Sequence, residues 1–394
     1  MVTWALLTCL YYLLIPRLLR FLPGNGLTKG TYFAMSPQRR KSHQSPSTVG
    51  ILCFAGLAPL AIDRLKVSNF KDIHQRKLPN YDLILACPPP NGLSILKDIG
   101  VAEDLFWLLG PPLGLAATRD LTGLIRLVQP AAVLSGLEIK NNLFGRGGRR
   151  GGNPSFACFV KQDRDRRVRR KQIAHSISAA VKGHFRKWRP ADPAAIEFWG
   201  FYIEEQLHLG LRLSTHALRY RGRPPAQRPA ALRPTIAAAL LQVAAPRQGE
   251  TFVDPMCGSG AILHECRAHP TGLSLRGGDS DPEAVRMAQN ALGDVEVTRW
   301  DARQPDLPAA SVDCFVCNLP FGQEYSTPAA NKKLYGELLQ AWLPRLKAGG
   351  RLVLLTADTN ALEPQLKSLK LSWRVAARVK VLGLWARIYR IDPA

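Results

Sequence analysis

Four short stretches carry the side chains that chemistry would need. The first, Val253-Asp254-Pro255-Met256-Cys257-Gly258-Ser259-Gly260, sets an acid and two glycines between an apolar strand and the start of a helix. Glycine lets backbone approach a ligand closely, and a helix start offers unbonded N–H groups. Nucleotide phosphate is one ligand for such a loop. No Gly-Lys-Ser/Thr follows and the spacing is not Gly-x-Gly-x-x-Gly, so neither phosphate-binding fingerprint is met. About 20 residues on, Gly278-Asp279-Ser280 ends the next strand, where an acid can accept hydrogen bonds from both ribose hydroxyls. Asp301-Ala302 follows a third strand, placed to receive an adenine amino group. Asn318-Leu319-Pro320-Phe321-Gly322 follows a fourth.

The last stretch suits an exocyclic amine on a base, a poor nucleophile because its lone pair is delocalised into the ring. The Asn318 side-chain oxygen and the Leu319 carbonyl can both accept from that amine, turning the lone pair toward an electrophile. Pro320 fixes the turn and restricts the residue before it. Phe321 offers a face on which a flipped base could stack. With a methyl sulfonium as electrophile, positioning supplies most of the rate, and no strong general base is needed or evident. The expected catalytic set is therefore Asn318, Leu319, Pro320 and Phe321. The expected contacts to S-adenosyl-L-methionine are Asp254, Pro255, Met256, Cys257, Gly258, Ser259, Gly260, Asp279, Ser280, Asp301, Ala302 and Asn318. His264 and His269 read as helix-face or turn residues, and no His cluster implies a metal.

These stretches need a scaffold that brings strand ends together. Residues 250–394 alternate strands (Thr251–Val253, Ser274–Gly277, Val295–Trp300, Ser311–Cys317, Arg351–Thr356) with helices (Ala261–Ala268, Pro282–Leu292, Lys332–Leu346). That alternation predicts an α/β, mostly parallel, doubly wound sheet with ligands at the C-terminal strand ends. Cys314-x-x-Cys317 lies within a buried strand and points to opposite faces, so it reads as core rather than metal. Ahead of this domain, residues 31–110 read as a small α+β unit, with an edge strand at Thr31–Met35, strands Ile51–Phe54 and Leu83–Cys87, and helix over Gly92–Leu108. Residues 155–213 read as β-α-β-β: Ser155–Val160, a helix with Ile173, Ile177, Ala180, Val181 and Phe185 near a 3.6 spacing, then Ala195–Ile203 and Leu207–Leu213. Pro224, Pro225, Pro229 and Pro234 make residues 219–234 a stiff linker. The helix Ile236–Ala244 then leads into the final domain.

Charge separates the two halves. Residues 1–250 hold 36 Lys and Arg against 15 Asp and Glu, whereas residues 251–394 hold 17 against 15. A basic first part before a nearly neutral second part suits one region that grips a polyanion and another that does chemistry. The expected phosphate contacts are Arg166, Arg167, Arg169, Arg170, Lys182, Arg186, Lys187, Arg189 and Arg221. The Gly/Arg run 144–153 is a loop that either touches RNA or is solvated linker. Eight scattered Cys without zinc spacing fit a reducing cytoplasm. The apolar run Val2–Ile15 is shorter than the roughly 20 residues of a bilayer span and lacks signal-peptide flanks. It reads as an extension or an amphipathic anchor, and residues 1–30 are set apart as a leader of uncertain status.

Together these residues resemble the THUMP-domain class I RNA methyltransferases that form N2-methylguanosine, especially the bacterial and archaeal enzymes acting on tRNA. The resemblance spans roughly residues 30–394. Asp254–Gly260 is similar to the family's first motif and Asn318–Gly322 to its amine-binding motif. Residues 155–218 resemble the THUMP pattern, and Gly383–Tyr389 also looks familial. Leu232-Arg233-Pro234-Thr235-Ile236-Ala237-Ala238 resembles the family's entry helix, which implies that Thr235 lies near the cofactor. The resemblance implies a ferredoxin-like domain (31–110), a THUMP domain (111–218) and a Rossmann-like methyltransferase domain (235–394). It also implies a tRNA substrate; a monomer is expected, with the oligomeric state and a small activator subunit left open. The heavier basic tract Arg164–Lys171 and Pro88-Pro89-Pro90 depart from the family pattern. Ribosomal RNA guanine, a DNA amino group, or RNA binding without catalysis stay open as alternatives, the last opposed by the presence of Asp254, Asp279, Asp301 and Asn318.

Overall fold

The computed structural model describes residues 47–145, 153–164, 167–215, 217–221, 232–270, 272–321, 328–381 and 383–393. The expected strand Thr31–Met35, the apolar run 2–15, Arg166, Gly322 and most of the Pro-rich linker lie outside those residues.

Two sheets organise the chain. The first contains β1 (Val49–Phe54), β2 (Lys71–Lys77), β3 (Tyr81–Cys87), β4 (Ala102–Leu108), β5 (Leu113–Gly114), β6 (Ser155–Gln162), β7 (Arg189–Pro190), β8 (Ile196–Ile203) and β9 (Gln206–Arg212). Its order is β2-β3-β1-β4-β9-β8-β6-β7, with β5 also on β9. Strands from before and after residue 110 thus share one sheet, joined where Phe106 faces Arg212 and Leu108 faces Gly210. Helices α1 (Ala58–Val67), α2 (Leu124–Leu127), α3 (Pro130–Phe144) and α4 (Arg170–His184) accompany it, and α4 buries the predicted Ile173, Ile177, Ala180 and Val181.

One expectation fails here. Gly92–Leu108 is not a helix: a 3-10 turn over Gly92–Asp98 is followed by strand β4, every residue of which is buried. A short unbroken apolar run such as Leu105–Leu109 has no period that distinguishes a central strand from a buried helix.

The short α5 (Ala217–Tyr220) and then α6 (Pro234–Ala244) lead to the second sheet. Helix α6 buries Thr235 to Leu241, Val243 and Ala244, as a helix enclosed between layers does, and leaves Gln242 exposed. One side packs on the second sheet and on α7. The other meets α1 and β4, where Gln242 donates to the Leu60 carbonyl at 2.8 Å and Thr235 to Glu103.

The second sheet holds β10 (Thr251–Asp254), β11 (Ser274–Asp279), β12 (Glu296–Arg299), β13 (Val312–Asn318), β14 (Leu346–Thr356), β15 (Ser372–Val381) and β16 (Leu384–Asp392). Its order is β12-β11-β10-β13-β14-β16-β15, parallel except for β16 against β14 and β15 against β16. Helices α7 (Ala261–Arg267), α8 (Pro282–Leu292), α9 (Pro328–Trp342) and α10 (Thr359–Ser368) complete the Rossmann-like doubly wound domain. Cys314 and Val316 of β13 join one core cluster while Phe315 and Cys317 join another, so both faces of the strand are covered. Two helix starts are fixed by carboxylates: Asp281 accepts from Glu283 N–H at 2.9 Å and Asp358 from Ala361 N–H at 3.1 Å. Among the described residues no helix is long and apolar enough to cross a membrane.

Candidate active site

The order β11-β10-β13 places three loop-bearing strand ends side by side. At the ends of β10 and β13, beside the start of α7, lies a pocket with an empty volume of about 360 Å³, counting space open to solvent. Leu232, Asp254, Met256, Gly258, Ile262 and Asn318 are among its lining residues, with Cys257 and Ser259. The first motif and the amine motif thus meet in one cavity although 58 or more positions separate them.

The glycine-rich loop needs its glycines. Gly258 and Gly260 have φ of +53° and +80°, a region in which a side chain is strained. A Cβ on Gly258 would meet only open space, whereas one on Gly260 would press on Leu292 Cδ1 at 2.7 Å. The loop is braced from β11. Gly258 N–H donates to Asp279 Oδ2 at 2.8 Å, Cys257 N–H to the Gly278 carbonyl at 2.9 Å, and Trp300 Nε1–H to the Pro255 carbonyl at 3.0 Å. Asp279 Oδ1 also takes Asp281 N–H at 3.0 Å.

Asp254 differs from Asp279. It is 2% exposed, and it accepts from Met256 N–H at 3.3 Å. Burial pushes its carboxyl well above the usual range; the Met256 N–H works against this and the Asp279 charge adds to it. A buried carboxylate with no paired cation is costly alone and favourable beside a positively charged ligand.

At the other side of the pocket, Asn318 closes β13. Its side-chain oxygen is buried and has no hydrogen-bond partner, a state that costs free energy unless a ligand fills it. Leu319 N–H pairs with the Leu355 carbonyl at 2.9 Å. The Pro320 carbonyl accepts from Tyr335 OH at 2.6 Å and Asn331 Nδ2 at 3.3 Å. Phe321 is half-buried against the main core cluster.

Other expected residues sit elsewhere. Thr235 is fully buried and its hydroxyl donates to Glu103 Oε1 at 2.5 Å, so it ties α6 to β4. Asp301 is exposed and bound in a two-pronged pair by Arg303, which holds its carboxyl below the usual range. Ala302 is buried and its carbonyl accepts from Trp342 Nε1–H at 2.9 Å. Ser280 is exposed, and its carbonyl accepts from Arg299 at 3.2 Å. Sequence reasoning missed Asn331, Tyr335, Thr356 and Glu103, because only tertiary contact marks them.

The basic residues divide too. Arg169, Arg170, Lys182, Arg186, Lys187 and Arg189 are exposed on and around α4. Cations at 169 and 170 oppose the dipole at that helix start, so helix stability does not account for them. Arg167 pairs with Glu205 at the surface. Arg221, expected above among the phosphate contacts, is instead committed to Glu265, a 6% exposed carboxylate on α7, at 2.6–2.8 Å. A buried acid needs a partner, and Arg221 supplies it.

The Rossmann-like sheet, with its glycine loop after β10 and the Asn318–Phe321 turn after β13, is the part of the chain that resembles known methyltransferases. Residues 221–387 match the family model described as UPF0020: RMKL-like, methyltransferase domain. The chain is similar to the tRNA (guanine(6)-N2)-methyltransferase of Thermus thermophilus, 30% identical over 211 residues, covering 52% of this chain and 61% of that protein. It is also similar to the tRNA (guanine(6)-N(2))-methyltransferase THUMP3 of Bos taurus, 28% identical over 245 residues, 55% of this chain. The chain spans only 47% of that bovine relative's length. Among solved structures, TrmN from Thermus thermophilus shares the fold with a TM-score of 0.67 at 22% identity, covering 88% of this chain and 100% of that one.

Proposed function

We propose that this protein transfers a methyl group from S-adenosyl-L-methionine to the exocyclic N2 amine of a guanine in tRNA. The observation that carries the reading is the buried, unpartnered Asn318 oxygen, set in the same pocket as the glycine loop and Asp254. An amide oxygen in that state is an acceptor waiting for an N–H donor.

The residues present fit the cofactor. Asp254 is a buried carboxylate suited to a cationic ligand, Asp279 offers acceptor oxygens beside the loop, and Gly258 leaves open space in front of its backbone. When bound, the cofactor supplies an electrophilic methyl group on a cationic sulfur. The chain's own part is to orient: Asn318 Oδ1 and the Leu319 carbonyl accept from the amine, and Phe321 offers its ring to the extruded base. The exposed cations of α4 suit the RNA backbone, which fixes register without reading sequence. The relatives' tRNA (guanine-N2) activities support guanine and tRNA as the substrate.

The test is to incubate the protein with isotope-labelled cofactor and total tRNA, then identify the labelled nucleoside by mass spectrometry. Labelled N2-methylguanosine is expected, and Asn318→Ala should abolish it while the protein keeps its wild-type Tm, with cofactor affinity measured alongside to separate the amine role from any cofactor contact. Label found only in ribosomal RNA or DNA would overturn the substrate, and normal turnover by the variant would overturn the role of Asn318.

A further inference from the structure

Tyr335 lies on α9, 15 residues beyond the turn it touches, and is fully buried beside Trp342, Leu338 and Phe315. Phenylalanine would fill that space equally well, and a buried hydroxyl is costly unless it is bonded. Here the hydroxyl has two partners, the Pro320 carbonyl at 2.6 Å and Thr356 Oγ1 at 2.7 Å. Proton directions follow from what each group can do. A carbonyl only accepts, so the one phenolic proton goes to Pro320. The Thr356 hydroxyl must then donate to Tyr335, and its own oxygen accepts Asp358 N–H at 2.9 Å. A directed chain results: Asp358 N–H to Thr356, Thr356 to Tyr335, Tyr335 to Pro320. Asn331, fully buried, adds a second bond to the Pro320 carbonyl at 3.3 Å and anchors itself on Asp358 Oδ2 at 3.0 Å. Burial also pushes the Tyr335 phenol upward, so it keeps its proton.

We propose that Tyr335, supported by Thr356 and Asn331, is a positioning residue that sets the direction of the Leu319 carbonyl by holding the Pro320 carbonyl. The proposal rests on the amine-binding reading of the turn given above. On one side of the Leu319–Pro320 bond, Leu319 N–H is held by the Leu355 carbonyl. On the other, the Pro320 carbonyl is held by Tyr335 and Asn331. Between the two pins lies a planar peptide whose proline φ is fixed and whose preceding residue is restricted. Little freedom remains, and the Leu319 carbonyl is aimed by the pins. Both come from adjacent residues of β14, Leu355 directly and Thr356 through Tyr335, so one strand end governs the amine acceptor without touching substrate.

The experiment compares Tyr335→Phe, Thr356→Val and Thr356→Ser with the wild type. Tyr335→Phe and Thr356→Val should each lower kcat about tenfold, the size of one lost orienting contact. The KM for tRNA and the Kd for S-adenosylhomocysteine should stay within about twofold, because neither ligand is held by these groups. Thr356→Ser keeps the hydroxyl and should keep kcat. A Tyr335→Phe enzyme with wild-type kcat overturns the proposal. So does a fall in kcat matched by an equal fall in cofactor-binding stoichiometry, which marks lost folded protein instead of lost aim. Crystal structures of wild type and Tyr335→Phe test the latch apart from activity. A turned Leu319 carbonyl in the variant supports it, and superposable turns overturn it even if the wild type methylates no RNA.

Discussion

Gly278 offers a sharp test of how the cofactor loop is held. It sits on β11 against Trp300, and a methyl group added there would fall inside the indole ring. The ring itself is 8% exposed and donates to the Pro255 carbonyl at 3.0 Å, so it cannot move without releasing the loop. Gly278→Ala therefore carries two costs. Overpacking a tight core costs about 1–3 kcal/mol. Leaving the Pro255 carbonyl without its donor costs about 1–3 kcal/mol more. The sum, about 2–6 kcal/mol, is a large part of the 5–15 kcal/mol or so that holds a typical domain. If only about 1.4 kcal/mol of it falls on the loop geometry, cofactor affinity drops tenfold. Thermal melting and calorimetric titration with S-adenosylhomocysteine measure the two parts. Replacing Trp300 with Leu in the same chain should make the glycine change far milder than in the wild type, a positive coupling between neighbours. Wild-type Tm and affinity in Gly278→Ala, or strictly additive effects in the double variant, would refute the reasoning.

Asp254→Asn should raise the Tm of the cofactor-free protein at neutral pH and abolish cofactor binding. An acid raised on folding contributes its full stability below its unfolded value near pH 4 and loses it as pH rises through the folded value. The Tm of the wild type minus that of the variant should therefore fall between acid and neutral pH, and a flat difference would sink the assignment. Replacing Arg169, Arg170, Lys182 and Arg186 with Ala should weaken RNA binding and flatten the slope of log K against log salt by about 3; an unchanged slope would remove α4 from the interface. Arg351→Met should cost about 3–5 kcal/mol, read as a fall in Tm. The guanidinium is 3% exposed and bonds both Glu250 and the last carbonyls of α6.

Sequence patterns revealed the second sheet well because its signals are local. A strand run into Asp254-Pro255, a Gly-x-Gly and a helix start are contiguous, and alternation predicts the parallel sheet, whereas the order that sets β10 beside β13 is fixed only by folding. The misreading of Gly92–Leu108 shows the limit, since β4 is identified by its partners β1 and β9 and not by its own period. The β15–β16 hairpin has no comparable local signal, although Gly383–Tyr389 reaches from its turn into β16. Side-chain direction was less legible still. Thr235 and Asp301 are expected at the cofactor, yet the hydroxyl of one turns to Glu103 and the carboxylate of the other to Arg303. Arg221 shows that a cation in a basic linker is not thereby a free cation. Tyr335 carried no signal, because its importance lies in a partner brought to it by folding.

The pairing of β4 with β9 has a consequence for any attempt to divide the chain. Removing everything up to residue 110 would strip β9 of β4 along a row of backbone hydrogen bonds and leave a raw strand edge open to other chains. It would also take away Asp104, whose buried carboxylate meets both Arg212 and Arg219, so that Arg219 loses this ion pair and Arg212, 2% exposed, keeps Glu197 but loses one of its two carboxylates. Truncations at that point should aggregate, whereas cuts within the Pro-rich stretch around residues 222–231 leave every strand pair of the first sheet intact. The strands between residues 49 and 212 thus stand or fall together as one sheet.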